Sequence, residues 1–260
     1  MVYEFQAGDS PLLVNVPHAG TELPAEIASR LTSRARQLPD TDWHVHRLVE
    51  GAIGLGASVM LARYSRYVID LNRGSDDKPL YSGATTGLVP TENFDGSPVY
   101  GAEAPDAEEI TDRIERFWRP YHDKLARELQ ALRQRHGFAV LFDVHSIRSA
   151  VPRLFEGRLP DLNLGTYEGR SCAPELQASV ADMLADAEGF STVVNGRFKG
   201  GFITRHYGRP AEGIHALQLE IAQTCYMDES RPNDFDPQAA RPLIDLLDEL
   251  VGRLSRWRPA

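Results

Sequence analysis

The chain has 260 residues, 42% apolar and 25% charged, a composition that suits one large folded domain and excludes wholesale disorder. A net charge of −9 and an isoelectric point near 5.4 argue against general binding to a phosphate backbone, so any anion handled here must be met by locally placed arginines. Two distant cysteines, Cys172 and Cys225, exclude a disulfide framework or a thiolate zinc centre and suit a reducing cytosol.

Residues 11–16 form a short apolar strand that breaks at Pro17 into a loop holding His18, Gly20 and Glu22. The pattern next predicts a helix over 23–38, opened by Pro24 and ended at Pro39. A second helix runs from Asp40-Thr41-Asp42 through Trp43, Leu48 and Ile53. Helix capping is the plainest role for Asp42. Strands follow at 57–62 and 67–74, the latter ending in Asn72-Arg73-Gly74. Residues 75–105 are rich in Gly, Pro, Asp, Ser and Thr and predict a long loop, with at most short strands at 86–90 and 97–100. A loop of that length in a compact domain is more often functional than idle.

From 106 to 135, Ile110, Ile114, Phe117, Tyr121, Leu125, Leu129 and Leu132 recur at helical spacing, with Gly137 as the stop. Pro120 should kink this helix. Five apolar residues, Phe138 to Phe142, then lead into Asp143-Val144-His145-Ser146, a strand buried on both faces that ends in polar groups. Strands at 160–165, 191–194 and 214–221, helices at 174–187 and 237–257, and a glycine-bounded polar segment at 200–208 complete the chain. No linker or repeat divides it, so one α/β domain over 1–260 is expected. Residues 1–11 lack a basic segment followed by an apolar run, so no secretory signal is expected, and no stretch approaches the roughly 18 apolar residues of a membrane span.

Four apolar strands thus finish in polar residues: His18, Asn72-Arg73, His145-Ser146 and Glu220. In an α/β sheet such ends converge although they lie far apart in sequence. Two imidazoles with a carboxylate are a common zinc arrangement, and a further glutamate can take a proton from water. Asp143 and His145 share a strand face, so a carboxylate there can orient the imidazole; a buried histidine satisfied by its neighbour is the structural alternative. An arginine beside an asparagine suits a substrate carboxylate. The residues therefore point to a metal hydrolase of an anionic substrate, without a compact HExxH-type signature. Ser146 lacks the Gly-x-Ser-x-Gly turn of a nucleophile, His44 and His46 suit surface or capping roles, and Arg66 suits an ion pair with an acid.

The segments Val16-Pro17-His18-Ala19-Gly20, Asp40-Thr41-Asp42-Trp43, Ser65 to Arg73, Phe142 to Ser146, Gly201 to Gly208 and Gln218-Leu219-Glu220 resemble, in order and across nearly the whole chain, the N-formylglutamate amidohydrolase family. That family in turn resembles zinc carboxypeptidases and the succinylglutamate desuccinylase and aspartoacylase group. The resemblance implies a central mixed β-sheet flanked by helices, zinc-carboxypeptidase-like. It also implies cytoplasmic hydrolysis of N-formyl-L-glutamate to formate and L-glutamate, the last step of a histidine degradation route, with a small anionic substrate and neither nucleic acid nor membrane as partner. By the same resemblance His18 and His145 hold one Zn2+, Glu220 is the general base, and Asn72 and Arg73 bind a carboxylate. Arg205 and His206 would meet the second carboxylate or the oxyanion. HxxE is missing after His18, so the third metal ligand is expected to be Asp42, with Glu22 as the competitor. A deacylase of another N-acyl amino acid and a non-catalytic binder of acidic metabolites are the alternative readings.

Overall fold

The protein is described by a computed structural model over residues 1–79 and 85–260. Strands β1 (Tyr3–Gln6), β2 (Leu12–Val16), β3 (Ser58–Ala62), β4 (Ala139–Ile147), β5 (Leu162–Gly165), β6 (Thr192–Val194) and β7 (Ile214–Ala222) form one sheet in the order β1-β3-β2-β4-β7-β5-β6. The central strands β3, β2, β4 and β7 run parallel. β1 and β5 join antiparallel, and β6 pairs parallel with β5, so the sheet is mixed as expected. After β2 the chain crosses to β3 on one side and returns to β4 on the other. The boundary between β2 and β4 is therefore a switch point, where the carboxyl ends of parallel strands open a crevice.

Helices α1 (Ala25–Ala28), α2 (Val45–Leu48), α3 (Ala107–Arg113), α4 (Arg119–His136), α5 (Pro174–Ala185), α6 (Phe202–Tyr207) and α7 (Pro237–Arg256) cover both faces. The period of two along each strand divides the core. Val140, Phe142 and Val144 pack with Leu12, Val14, Leu217 and Leu219 beneath α5 and α7. Ala139, Leu141, Leu13 and Ala216 face Tyr121, Leu125 and Leu129 of α4. On this second face the three central strands change character halfway along. Leu13 gives way to Asn15, Leu141 to Asp143 and His145, and Ala216 to Gln218 and Glu220. Register places Asn15, Asp143 and Gln218 in one row, and His145 beside Glu220 in the next. Tyr121 marks the transition by donating its hydroxyl to Asn15 Oδ1 at 2.7 Å. Removing that hydroxyl would leave a buried acceptor unpaired, at a cost of about 1–3 kcal/mol.

Several expectations from the sequence need correction. The helix over 23–38 shrinks to α1 and a turn at Ala35–Gln37, because Thr32 N–H bonds Val99 O at 2.9 Å and Leu31 bridges Tyr100. The second helix contracts to α2, preceded by His44 in the left-handed region at φ 62°. Residues 67–74, buried except for the half-buried Arg73, are not a strand. Asp70 N–H bonds Leu88 O at 2.7 Å, and Asn72 N–H bonds the Asp70 side chain at 2.9 Å, so their hydrogen bonds are met by turns and loops. The short strand expected at 86–90 does not form, and that at 97–100 is reduced to isolated bridges of Pro98 with Glu92 and Tyr100 with Leu31; the part of the 75–105 loop reading that falls on residues 80–84 lies outside the described residues. The long helix is interrupted by a π turn at Ile114–Trp118, where the ring of Pro120 in the first turn of α4 cannot donate backward. The segment at 200–208 contains α6, and β1 adds an edge strand that the pattern did not suggest.

Candidate active site

At the carboxyl ends of β2, β4 and β7 lies an open cleft. Its lining includes His18, Asp42, Asn72, Arg73, His145 and Glu220, so six candidates from five places in the chain meet in one cavity. His18 arrives on the loop after β2, Asp42 on the turn before α2, and His145 and Glu220 from adjacent strands.

His18, Asp42 and His145 each offer a ligand atom within 4.8 Å of the others, and all three are buried. The two rings lie 4.9 Å apart between centroids. Each ring is held from behind by a carboxylate: His18 Nε2 lies 2.7 Å from Asp70 Oδ1, and His145 Nε2 lies 2.9 Å from Asp143 Oδ2. Both Nδ1 atoms therefore turn toward Asp42 Oδ2, at 3.8 Å from His18 and 3.0 Å from His145. Asp42 is not a helix cap; its Oδ2 also accepts the Ser146 N–H at 3.1 Å.

The outer carboxylates are fixed in turn. Asp143 Oδ1 accepts from Asn15 Nδ2 at 2.7 Å, and Asp70 Oδ2 accepts from Arg66 Nη2 at 2.7 Å. Arg66 thus keeps the acid partner that its position suggested, and it also lies over the Phe94 ring. The segment leading into α6 clamps the opposite side. Ile203 N–H donates to Asn72 Oδ1 at 2.8 Å, and Gly201 N–H donates to Gln218 Oε1 at 2.7 Å. With its oxygen so engaged, Gln218 points Nε2 at Glu220 Oε2, 3.3 Å away. A Cβ on Gly201 would fall 2.4 Å from Asn72 Nδ2, so the close approach requires glycine.

Burial and paired charges set the protonation of the cluster. Burial and the Arg66 charge lower the His18 imidazole despite Asp70 and Asp42. Burial also works against a charged His145, yet Asp143 and Asp42 hold it well above its ordinary value. Burial would raise Asp70, but Arg66 and His18 hold it well below the usual carboxylate range. Glu220 is pushed up to about 8, chiefly by burial, with His145 opposing and Asp42 adding to the shift. Asp42 Oδ1 is buried with no hydrogen-bond partner among the described residues. Such a cluster of buried carboxylates and imidazoles attracts a cation.

Other sequence candidates fall elsewhere. Glu22 is exposed and forked by Arg63 at 2.9 and 2.6 Å, outside the cluster. Arg205 and His206 sit on α6 and do not line the cleft; Arg205 Nε donates to Gly200 O at 2.7 Å, and the His206 ring stacks on Phe202. Ser146 Oγ lies 2.7 Å from Tyr226 Oη and is bonded to no imidazole among the described residues. His44 Nε2 donates to Pro232 O at 2.8 Å, away from the cluster. Four participants lay unassigned in the sequence: Asp70, Asn15, Gln218 and Arg197. Asp70 was the most accessible of them, two residues before Asn72 in a segment already singled out.

Comparison with known proteins meets this geometry. Residues 10–227 match the family model for N-formylglutamate amidohydrolase. The chain is 52% identical over 257 residues to an N-formylglutamate deformylase of Pseudomonas putida, covering 98% of this chain and 96% of the relative. Against that of Pseudomonas aeruginosa it is also 52% identical, covering 98% and 97%. The fold resembles the crystal structure of an N-formylglutamate amidohydrolase from Ralstonia eutropha, with TM-score 0.83, 28% identity and 98% of each chain covered. A gene product of Agrobacterium tumefaciens shares the fold at TM-score 0.72 and 18% identity, over 97% and 94% of the two chains.

Proposed function

The chain belongs to the N-formylglutamate amidohydrolase family, and from that premise we propose that it hydrolyses N-formyl-L-glutamate to formate and L-glutamate in the cleft lined by His18, Asp42, His145 and Glu220. The observation that carries this reading is the meeting of two carboxylate-backed imidazoles and Asp42 beside a buried glutamate. The same reading sets the enzyme in the cytoplasm, closing a route of histidine degradation.

The donor set fits a divalent metal. Two imidazole nitrogens and one carboxylate oxygen suit zinc, and Asp42 Oδ1 is a buried acceptor with no hydrogen-bond donor among the described residues. His18, Asp42 and His145 would hold the ion, while Asp70 and Asp143 fix the two rings. When bound, it would polarise the formyl carbonyl and make a water acidic enough to attack an amide.

The chain's own groups then divide the work. Glu220, ionised when a bound cation offsets the neighbouring carboxylates, would receive the proton of the attacking water and return it to the departing nitrogen, which must leave as an amine. Glu220 is buried yet lines the cleft, and Gln218 Nε2 holds its Oε2. Arg73 meets a substrate carboxylate by a charge-assisted contact. Asn72 flanks it on the same wall, with Nδ2 3.0 Å from His145 Nε2.

The test is formate release from N-formyl-L-glutamate before chelation, after it, and after zinc is restored. Turnover is expected to vanish with the chelator and return with the metal. Full activity in protein verified to be metal-free would sink the metal reading, and metal-loaded protein without turnover would sink the substrate assignment.

A further inference from the structure

Among the described residues, three guanidinium groups line the cleft: Arg66, Arg73 and Arg197. Arg66 belongs to the charge balance of the cluster itself. It lies 2.7 Å from Asp70 Oδ2 and 3.8 Å from Asp42 Oδ1, and these carboxylates keep it charged despite burial. Arg73 contributes to that balance more weakly, by lowering Asp70, and Arg197 is the third lining cation. Arg197 belongs to the segment leaving β6, is half-buried, and donates from Nε to Leu154 O at 2.8 Å. That bond sets the plane of the guanidinium, and Leu154 and Phe198 form the apolar wall beside it.

The substrate class has the matching feature. A glutamate leaving group carries two carboxylates, and placing either against an uncharged wall would forfeit its hydration without return. Arg205, the other arginine considered for this task, is turned to Gly200 O and to the Tyr167 ring, 4.9 Å away, and does not reach the lining.

We propose that Arg197 is the specificity-determining residue that reads the side-chain carboxylate of the N-formyl amino acid, with Arg73 taking the α-carboxylate; this rests on the N-formylglutamate reading above. The enzyme thereby selects acidic N-formyl amino acids over neutral ones of the same size. N-Formyl-L-glutamine is the discriminating probe, because it replaces one carboxylate oxygen by NH2 and changes little else.

The experiment compares kcat/KM on N-formyl-L-glutamate and N-formyl-L-glutamine for the metal-loaded wild type, Arg197→Gln, Arg197→Lys and Arg205→Gln. The wild type should prefer the acid. In Arg197→Gln the acid should lose about 10- to 100-fold, as expected for a charge-assisted hydrogen bond, while the amide changes little and the preference collapses. Arg197→Lys keeps the charge without the fork and should retain part of the preference, which also guards against misfolding of the glutamine variant. Arg205→Gln should leave the preference intact. Parallel loss on both substrates would make Arg197 a loop strap through Leu154 and overturn the assignment, as would an unchanged preference in Arg197→Gln. A wild type without turnover on N-formyl-L-glutamate would overturn the function reading first and this assignment with it, whereas turnover with unaltered selectivity overturns Arg197 alone.

Discussion

Asp42 Oδ2 stands 3.0 Å from Nδ1 of His145 while the backbone N–H of Ser146 holds the same oxygen at 3.1 Å. One carboxylate from the turn before α2 is thereby pinned to the end of the central strand, and its second oxygen stays unbonded among the described residues. Asp42→Ala should remove metal from the purified protein and lower turnover by more than the 10- to about 100-fold typical of losing an outer partner. Glu22→Gln serves as the control. Glu22 is exposed and paired with Arg63, so metal content and kcat should both stay at wild-type levels. Metal analysis beside formate assays decides between the two carboxylates.

Asp143 tests the outer layer. It accepts from His145 Nε2 and Asn15 Nδ2, so it sets the ring angle without reaching the Nδ1 side that faces Asp42. Asp143→Asn should weaken metal affinity about 10- to 100-fold while the fully loaded protein keeps much of its activity. Competition with a chelator of known affinity measures the first quantity. Unchanged affinity would mean that Asp143 serves only the fold.

Most of the sheet could be read from hydrophobic patterning, because β2, β4 and β7 are apolar runs whose ends turn polar in step. The convergence of His18, His145 and Glu220 follows from that common polarity. Asp42 was harder, since a Thr-Asp pair before an apolar helical pattern also describes a cap, and only the long-range contact with β4 separates the two roles. Residues 67–74 looked like a strand because their side chains are buried, but burial does not say where the backbone hydrogen bonds go, and here they go to Leu88 and to the Asp70 side chain. The polar stretch at 200–208 invited a substrate role for Arg205 and His206. Its contribution to the site instead comes through main-chain N–H groups, which side-chain chemistry in a sequence does not reveal.

Glu220 and Gln218 make separable contributions. Glu220→Gln should retain bound metal but lose turnover by about 10²- to 10⁴-fold, the range for removing a positioned acid–base group. Gln218→Leu keeps the carboxylate but deletes the N–H at 3.3 Å that orients it. A smaller fall in kcat with little change in KM is expected, because the loss falls on proton transfer and not on binding. Equal losses in the two variants would contradict a supporting role for Gln218.

The fold carries a proton-linked weakness away from the site. His122 on α4 is buried, donates from Nε2 to Leu71 O at 2.9 Å, lies 2.9 Å from Tyr207 Oη, and stacks on Trp118. Burial pushes its pKa down to about 3; the Leu71 carbonyl opposes the shift and His206 adds to it. The folded state therefore keeps this imidazole neutral, while the unfolded chain takes up a proton below its ordinary value of about 6.5. The unfolded state binds the extra proton, so stability is present above about pH 6.5 and is lost as pH falls, by up to about 1.4 kcal/mol per pH unit until the folded pKa is reached. His122→Gln removes that proton uptake. Denaturant titrations of metal-stripped protein between pH 6.5 and 4 should give the variant a shallower fall in unfolding free energy, by close to one proton, whatever its absolute stability. Identical slopes in the two proteins would mean that His122 titrates in the folded state as it does in the unfolded chain.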